Sequence, residues 1–277
     1  MEIRAAEIGD WPQLEKFYTR IYRKKHPLQK REFWAWQYSD SNYGRAFIAI
    51  GDNRNIVGHV GANFGGGYAW IINVYLDEEY RGKGILSKLY ELARQYYPLA
   101  ATAANAAGLG LYRNMGWYRY YDLQRYVAIN PNIANYGGIK DILGPILVEH
   151  SLGKPKGHYW EQPGLKSLIL PDGSTAINQD KVGGLRAVDI NSLESLMDFA
   201  WQLGYKWIDY VTSWNDKVCK EMETKEWVID SLSIIPWRLE PVQIGYMCDI
   251  TFLSEDPVPR DFIVHRSFSD HGRVGSL

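Results

Sequence analysis

Apolar residues recur along this chain with two periods, and the switches between them mark its elements. Glu2 to Ala6 reads as a short strand. Leu14, Phe17, Tyr18 and Ile21, at helical spacing, predict a helix from Trp11 to Tyr22 with Asp10 as its N-cap. His26-Pro27-Leu28 is a break, and the aromatic-rich run from Arg31 to Tyr38 predicts a second short helix. Ala46–Ile50 and Ile56–Gly61 flank the turn Gly51-Asp52-Asn53 as an antiparallel hairpin. Trp70 to Leu76 is almost continuously apolar, too short for a helix and rich in β-branched residues, which is the pattern of a central strand covered on both faces. Ile85, Leu86, Leu89, Leu92 and Ala93 share one face of a helix from Ile85 to Tyr97. Leu99–Ala104 is a strand, Asn105 caps a helix to about Met115, and Trp117–Ile129 supplies a closing strand. The order β-α-α-β-β-β-α-β-α-β places this half in the α/β class, as an α+β arrangement on a mixed sheet.

Gly137-Gly138 marks a seam, dividing the chain into residues 1–135 and 136–277. Beyond it, Ile139 to His150 reads as apolar helix or strand, and Gly153 to Gly184 as loop-rich. Leu185–Ile190 is a strand, Asn191-Ser192 cap a helix to Leu203, Trp207–Thr212 is a strand, and a helix near Asp216–Thr224 precedes further strands. At one offset of 110 residues, Thr102 falls on Thr212, Asn105 on Asn215 and Trp117 on Trp227. With strand, Asn-capped helix and strand repeating in the same order, this is a degenerate structural duplication.

Composition narrows the function classes. Lys plus Arg number 31 against 32 Asp plus Glu, so no overall field gathers nucleic acid or an anionic membrane surface. Met1-Glu2-Ile3-Arg4 carries no apolar signal core and no stretch approaches the ~18 uncharged apolar residues of a membrane helix, which implies the cytoplasm. Cys219 and Cys248, the only cysteines, suit packing better than a disulfide framework or a cysteine-based zinc site, and no metal is expected. The 11 Trp and 20 Tyr supply core, and some suit a site for amphiphilic ligands such as sugars.

The chemistry concentrates at Arg81-Gly82-Lys83-Gly84-Ile85, between the buried strand and the amphipathic helix. Amides freed by the glycines and by the first helical turn can hold a pyrophosphate with help from the helix dipole. The loop is neither a P-loop, since Gly84 follows Lys83 and Asp77 stands where the leading glycine belongs, nor a Gly-x-Gly-x-x-Gly dinucleotide turn.

On these residues the sequence resembles the GNAT superfamily of acyl-CoA N-acyltransferases over most of residues 1–130. The family's loop, Arg/Gln-x-x-Gly-x-Gly/Ala, maps onto Arg81, Gly84 and Leu86, with Leu86 departing from the usual small residue. A second signature matches independently: an Asn ending the strand after the cofactor helix, a Tyr seven residues on, then Gly-aromatic, here Asn105, Tyr112, Gly116 and Trp117. The resemblance implies a GNAT fold with splayed central strands and a second, degenerate GNAT-like domain. Acetyl-CoA or another acyl-CoA would enter between Val74-Tyr75-Leu76 and the strand at Leu99–Ala104. It further implies that the amides of Gly82, Lys83, Gly84 and Ile85 hold the pyrophosphate, that Asn105 belongs to the site, and that Tyr112 is the general acid. The acceptor would be the primary amine of a small molecule, with a nucleotide-linked amino sugar preferred, because the ending Asp261 to Arg273 looks similar to the tail of tandem GNAT-like proteins encoded among bacterial surface-polysaccharide genes.

Many relatives carry a carboxylate base on the central strand, and Trp70–Leu76 has none; His59 is nearest by position, with a structural histidine, a water chain or a group from the second half as alternatives. The second half has Asp189-Ile190-Asn191-Ser192 in place of the loop and Met222 in place of the Tyr, which implies that it binds no CoA and covers the acceptor end. A fragment ending near Asn135 is then expected to retain acetyl-CoA affinity. Two rivals stand beside this reading: a Fem-type aminoacyl-tRNA-dependent peptidyl transferase, against which the neutral charge and intact loop count, and a non-catalytic acyl-CoA-binding module, against which Tyr112 counts.

Overall fold

A computed structural model of the chain describes residues 1–22, 25–103, 106–133, 139–148, 152–229 and 250–269. Of the described residues, Met1–Tyr120, Phe252–Val258 and 267–269 form one compact unit; those within Tyr121–Thr251, with Pro259–Arg266, form the other.

The first unit runs β1 (Glu2–Ala5), α1 (Trp11–Ile21), α2 (Arg31–Tyr38), β2 (Gly44–Ile50), β3 (Ile56–Gly65), β4 (Tyr68–Leu76), α3 (Ile85–Arg94), β5 (Leu99–Ala103), α4 (Ala106–Asn114) and β6 (Tyr118–Asp122). Side-chain alternation along the strands feeds two cores. Phe47, Ala49, Val60 and Ile71 pack under α3 with Ile85, Leu89 and Ala93. Ala46, Ile48, Ile50 and Ile72 pack under α1 and α2 with Leu14, Phe17, Tyr18, Trp34 and Tyr38. Asp10 does not cap α1: its carboxylate takes both terminal nitrogens of Arg4, at 2.6 and 2.7 Å, and the amide of Glu7 at 2.8 Å. An ion pair with a guanidinium outcompetes a helix amide.

The single closing strand expected from Trp117 to Ile129 is two strands in different sheets. β6 stays in the first, and β7 (Gln124–Ile129) joins the second. The second unit continues with α5 (Ile139–Ile142), β8 (Ser167–Ile169), β9 (Thr175–Gln179), β10 (Gly184–Asp189), α6 (Leu193–Gln202), β11 (Trp207–Thr212), α7 (Val218–Thr224) and β12 (Val228–Ile229); β13 (Thr251–Ser254) follows. β8 and β9 lie in the stretch that reads as loop, because three- and five-residue strands with Ser, Thr, Asn and Gln carry too little apolar alternation to be seen. Ser192 caps α6 as expected, accepting from the Ser195 amide at 3.2 Å.

The strand orders are β1-β2-β3-β4-β5-β13-β6 and β12-β7-β11-β10-β9-β8. Reversed, the second is β8-β9-β10-β11-β7-β12 and repeats the first from β2 onward, with β10 and β11 the parallel pair corresponding to β4 and β5. The duplication is therefore real at the level of topology, and the strand beside β5 or β11 is exchanged along the chain: β13 serves the first sheet and β7 the second. The helix ends repeat as well. Trp117 N–H reaches the Tyr112 carbonyl at 3.1 Å past left-handed Gly116, and Trp227 N–H reaches the Met222 carbonyl at 3.0 Å past left-handed Glu226. Both are the six-to-one bond of a Schellman cap.

This exchange corrects the expectation for a fragment ending near Asn135. Such a fragment lacks β13, whose Phe252 and Leu253 are 0% and 2% exposed between β5 and β6. Losing two buried large side chains costs about 4–10 kcal/mol, comparable to the whole stability of a domain. The fragment should give no cooperative melt, and fusing residues 250–269 to it through a flexible linker should restore one.

Candidate functional site

The parallel ladder between β4 and β5 pairs Ala69 with Leu99 and Trp70 with Ala100, while the strands continue to Leu76 and Ala103. The central strands thus part after two pairs and, among the described residues, the second half of β4 keeps its ladder on the β3 side only. Val74 and Leu76 side with the core under α3, whereas Tyr75 meets Phe17 of α1 edge-on at 5.7 Å.

Within that freed stretch β4 bulges. His59 faces Tyr75 and Gly61 faces Ile72, so Asn73 and Val74 together oppose Val60, and Asn73 is left-handed at φ 52°. Asparagine is among the few side-chain-bearing residues that accept this region readily. Four side chains fix it there. His59 Nδ1 donates to the Asn73 carbonyl at 2.8 Å, Asn73 Nδ2 donates to the Tyr38 hydroxyl at 2.9 Å, and the Tyr22 hydroxyl donates to Asn73 Oδ1 at 3.3 Å. His59 Nε2 in turn accepts from the Tyr18 hydroxyl at 2.9 Å. Residues from α1, α2 and β3 therefore converge on one distorted residue, which is how a bulge persists.

His59 is fully buried, and desolvation lowers its pKa from 6.5 to about 4. With one nitrogen donating and the other accepting, it is a satisfied structural histidine and not a base. Because its folded pKa lies below the unfolded one, its contribution to stability is complete above pH 6.5 and is lost as pH falls towards about 4. Chemical denaturation should show about 2 kcal/mol less stability at about pH 5 than at about pH 7.5, and His59→Gln should remove most of that difference.

After β4, Glu78–Tyr80 form one 3-10 turn, and Arg81 folds back so that Nε donates to the Leu76 carbonyl at 3.1 Å. The Lys83 ammonium lies over the Tyr80 ring, 5.4 Å from its centre. Gly82 and Gly84 are left-handed at φ 72° and 71°, and a Cβ on either would meet nothing within 4 Å, so the loop's outer side is open. The first helical bond of α3 runs from the Lys88 amide to the Gly84 carbonyl, leaving the amides before it without helical acceptors. Ile85 is buried, and Leu86, the departure from the small-residue pattern, is partly buried against the core under α3.

Tyr112 lies on α4 at 5% exposure, in the same core as Ile85, Leu86, Val74 and Leu76. Its ring stacks on Trp117 at 4.5 Å. The Gly-aromatic part of the signature thus has a structural job: Gly116 ends α4 and swings Trp117 back over Tyr112. The Tyr90 hydroxyl is pushed well above its ordinary range, by burial first and by Tyr112 beside it. The structure so places Val74 and Leu76 on the core side of the freed end of β4 with Tyr75 on the other face, and Arg81, Gly82, Lys83, Gly84 and Ile85 in the turn that leads into α3; Tyr112 lies in the same core beside Trp117 and Tyr90, and Asn105 lies outside the described residues. Sequence reasoning missed the grip on Asn73; its only signal was an Asn interrupting an apolar strand, read there as a plain strand residue. Among the described residues there is no group of side chains suited to a metal ion and no helix long and apolar enough to cross a membrane.

Residues 11–117 match the family model described as the Acetyltransferase (GNAT) family. An acetyltransferase candidate from Pyrococcus horikoshii shares the fold at a TM-score of 0.52 and 15% identity, covering 92% of this chain and 89% of its own. A conserved protein of unknown function from Enterococcus faecalis V583, with an N-acyltransferase assignment, does so at a TM-score of 0.50 and 11% identity, covering 91% of this chain and 71% of its own. No curated protein matches in sequence. Such low identity speaks for the fold alone, and here it extends over both halves of the chain. Together with the matching family model, the parted central strands and the open glycine loop at the start of α3, this makes residues 11–117 a GNAT acetyltransferase domain.

Proposed function

We propose that the chain is an N-acyltransferase moving an acetyl or other acyl group from acyl-CoA to the primary amine of a small molecule. The observation that carries this is the open left-handed glycine loop leading into α3, directly after the parted end of β4. In this reading the amides of Gly82, Lys83, Gly84 and Ile85 hold the pyrophosphate, with Arg81 and Lys83 nearby, and Val74, Tyr75 and Leu76 line the pantetheine. Asn105 joins them by its match to the family's second signature. The deprotonated amine attacks the thioester carbon, forming the C–N bond and a tetrahedral oxyanion that amides at the β4 bulge stabilise. The C–S bond then breaks, Tyr112 protonates the departing thiolate, and the surplus proton on the new amide nitrogen leaves through solvent and restores the phenol. The role of base is not given to His59, whose nitrogens are both committed.

A nucleotide-linked amino sugar is the first acceptor to test. Half-buried Tyr22 and His26 stack at 3.9 Å beside Asn73, and the half-exposed aromatic edges of this pair suit an amphiphilic ligand such as a sugar. Acyl-CoA chemistry of this kind implies the cytoplasm.

Calorimetry with acetyl-CoA on wild type and Gly84→Val tests the donor site. A Cβ has room there, so the fold should persist at a strain cost of about 1–2 kcal/mol, while the side chain enters the space where the pyrophosphate must approach. Affinity should fall at least tenfold, about 1.4 kcal/mol. Undiminished affinity in a folded variant removes this loop from the site. Thiol release across amino sugars, polyamines, amino acids and peptide N-termini then identifies the acceptor.

A further inference from the structure

The second unit also has a parting pair of parallel strands. Its ladder pairs Gly184–Arg186 with Trp207–Asp209, while β10 and β11 continue to Asp189 and Thr212. By strand order this opening corresponds to the one between β4 and β5, and it is filled. Residues 260–266 bridge its two lips. From the β11 side, Asn215 Nδ2 donates to the carbonyls of Arg260 at 2.8 Å and Phe262 at 3.1 Å, and the Ser213 hydroxyl oxygen accepts from the Val264 amide at 2.6 Å. From the β10 side, Asp189 Oδ1 lies 3.0 Å from His265 Nε2, and its other oxygen accepts from Thr175. At the root, both terminal nitrogens of Arg266 lie 3.5 Å from Asp209 Oδ1, with Arg266 2% exposed and Asp209 fully buried. Val264 is 1% exposed.

Three of these contacts go to the segment's main chain, through side chains just beyond the end of β11. Asn215 is the residue that falls on Asn105 at the 110-residue offset. We infer that the opening between β10 and β11 is a binding site for an amide-bearing chain, and that its resident occupant is this chain's own segment Arg260–Arg266. The segment takes the place that an acyl-CoA would take, so the protein holds one acyl-CoA per chain, in the first unit. Loss of the glycine loop and of the Tyr at Met222 is then matched by gain of a built-in ligand. The stoichiometry rests on the acyl-CoA reading of the first unit; the seating of the segment does not.

The experiment combines acetyl-CoA titration of the full chain with amide hydrogen exchange at Val264. Wild type should bind one acetyl-CoA, with Val264 protected equally in its absence and at saturation. The double variant Ser213→Ala/Asn215→Ala removes three hydrogen bonds from the segment and should speed Val264 exchange at least tenfold, leaving acetyl-CoA affinity within twofold of wild type. The single variants, expected to give smaller increases in the same direction, decide the matter if the double variant does not fold. Two acetyl-CoA per chain, faster Val264 exchange on adding acetyl-CoA, or exchange indifferent to these substitutions would each overturn the inference. No acetyl-CoA binding at all would instead sink the acyl-CoA reading of the first unit, and the exchange comparison would still decide the seating of the segment.

Discussion

Replacing Tyr112 with phenylalanine should lower turnover by roughly 10²–10⁴-fold while leaving acetyl-CoA affinity nearly unchanged, the range expected when a general acid is removed. The substitution keeps the ring, though it also takes from buried Tyr90 the hydroxyl beside it. The ring, stacked on Trp117 at 4.5 Å and held by the cap at Gly116, stays where it is, and only the hydroxyl goes. A tyrosine kept only for packing would behave otherwise, losing some stability with no change in rate per folded molecule. Steady-state kinetics beside a thermal melt separates the two. Turnover within about threefold of wild type, below the usual range for acid catalysis, would withdraw the catalytic role and leave the binding role standing.

How much of this was legible in the sequence follows from where the signal resides. The first unit's elements were readable nearly to their ends, because each carries a strong local period: Trp70–Leu76 could only be a buried strand, and Ile85–Ala93 only an amphipathic helix. The glycine loop was readable for the same local reason. Strand exchange was not, since nothing in Trp117–Ile129 announces that Asp122 ends one sheet's strand and Gln124 begins another's; membership of a sheet is decided by partners far along the chain, β13 for β6 and β11 for β7. Short polar strands such as Thr175–Gln179 escape because their burial comes from neighbours and not from their own pattern. His59 illustrates the opposite limit. Position made it a candidate base, and only the partners on both of its nitrogens show it to be structural. The degenerate repeat, faint at three identities, gains weight because a helix cap reproduces it: Tyr112, Gly116 and Trp117 in one unit, Met222, Glu226 and Trp227 in the other.

The bulge at Asn73 offers the second large effect. Alanine at 73 cannot sit at φ 52° without a cost of about 1–2 kcal/mol, and it forfeits the bonds to Tyr22 and Tyr38. The cheapest relief is to straighten β4, and a one-residue slip turns Val74 and Leu76 from one face of the sheet to the other. Any amide aimed at the thioester carbonyl is then lost, and removal of one such donor typically costs about 10²–10³ in turnover. Glycine at 73 tests whether backbone or side chain matters. It adopts the left-handed conformation freely, so the bulge and the His59 bond to its carbonyl survive while the side-chain bonds do not. Asn73→Ala should therefore lose about 10²–10³ in kcat and, with Val74 and Leu76 turned from the pantetheine, bind acetyl-CoA more weakly; Asn73→Gly should lose no more than about thirtyfold, since the two hydrogen bonds it forfeits are worth about 2 kcal/mol together, and keep acetyl-CoA affinity near wild type. Equal losses in the two variants would assign the effect to the amide side chain. Unchanged kcat in Asn73→Ala, with the variant folded, would mean that the bulge serves packing and not the oxyanion, and the carbonyl would have to be polarised by other amides of β4.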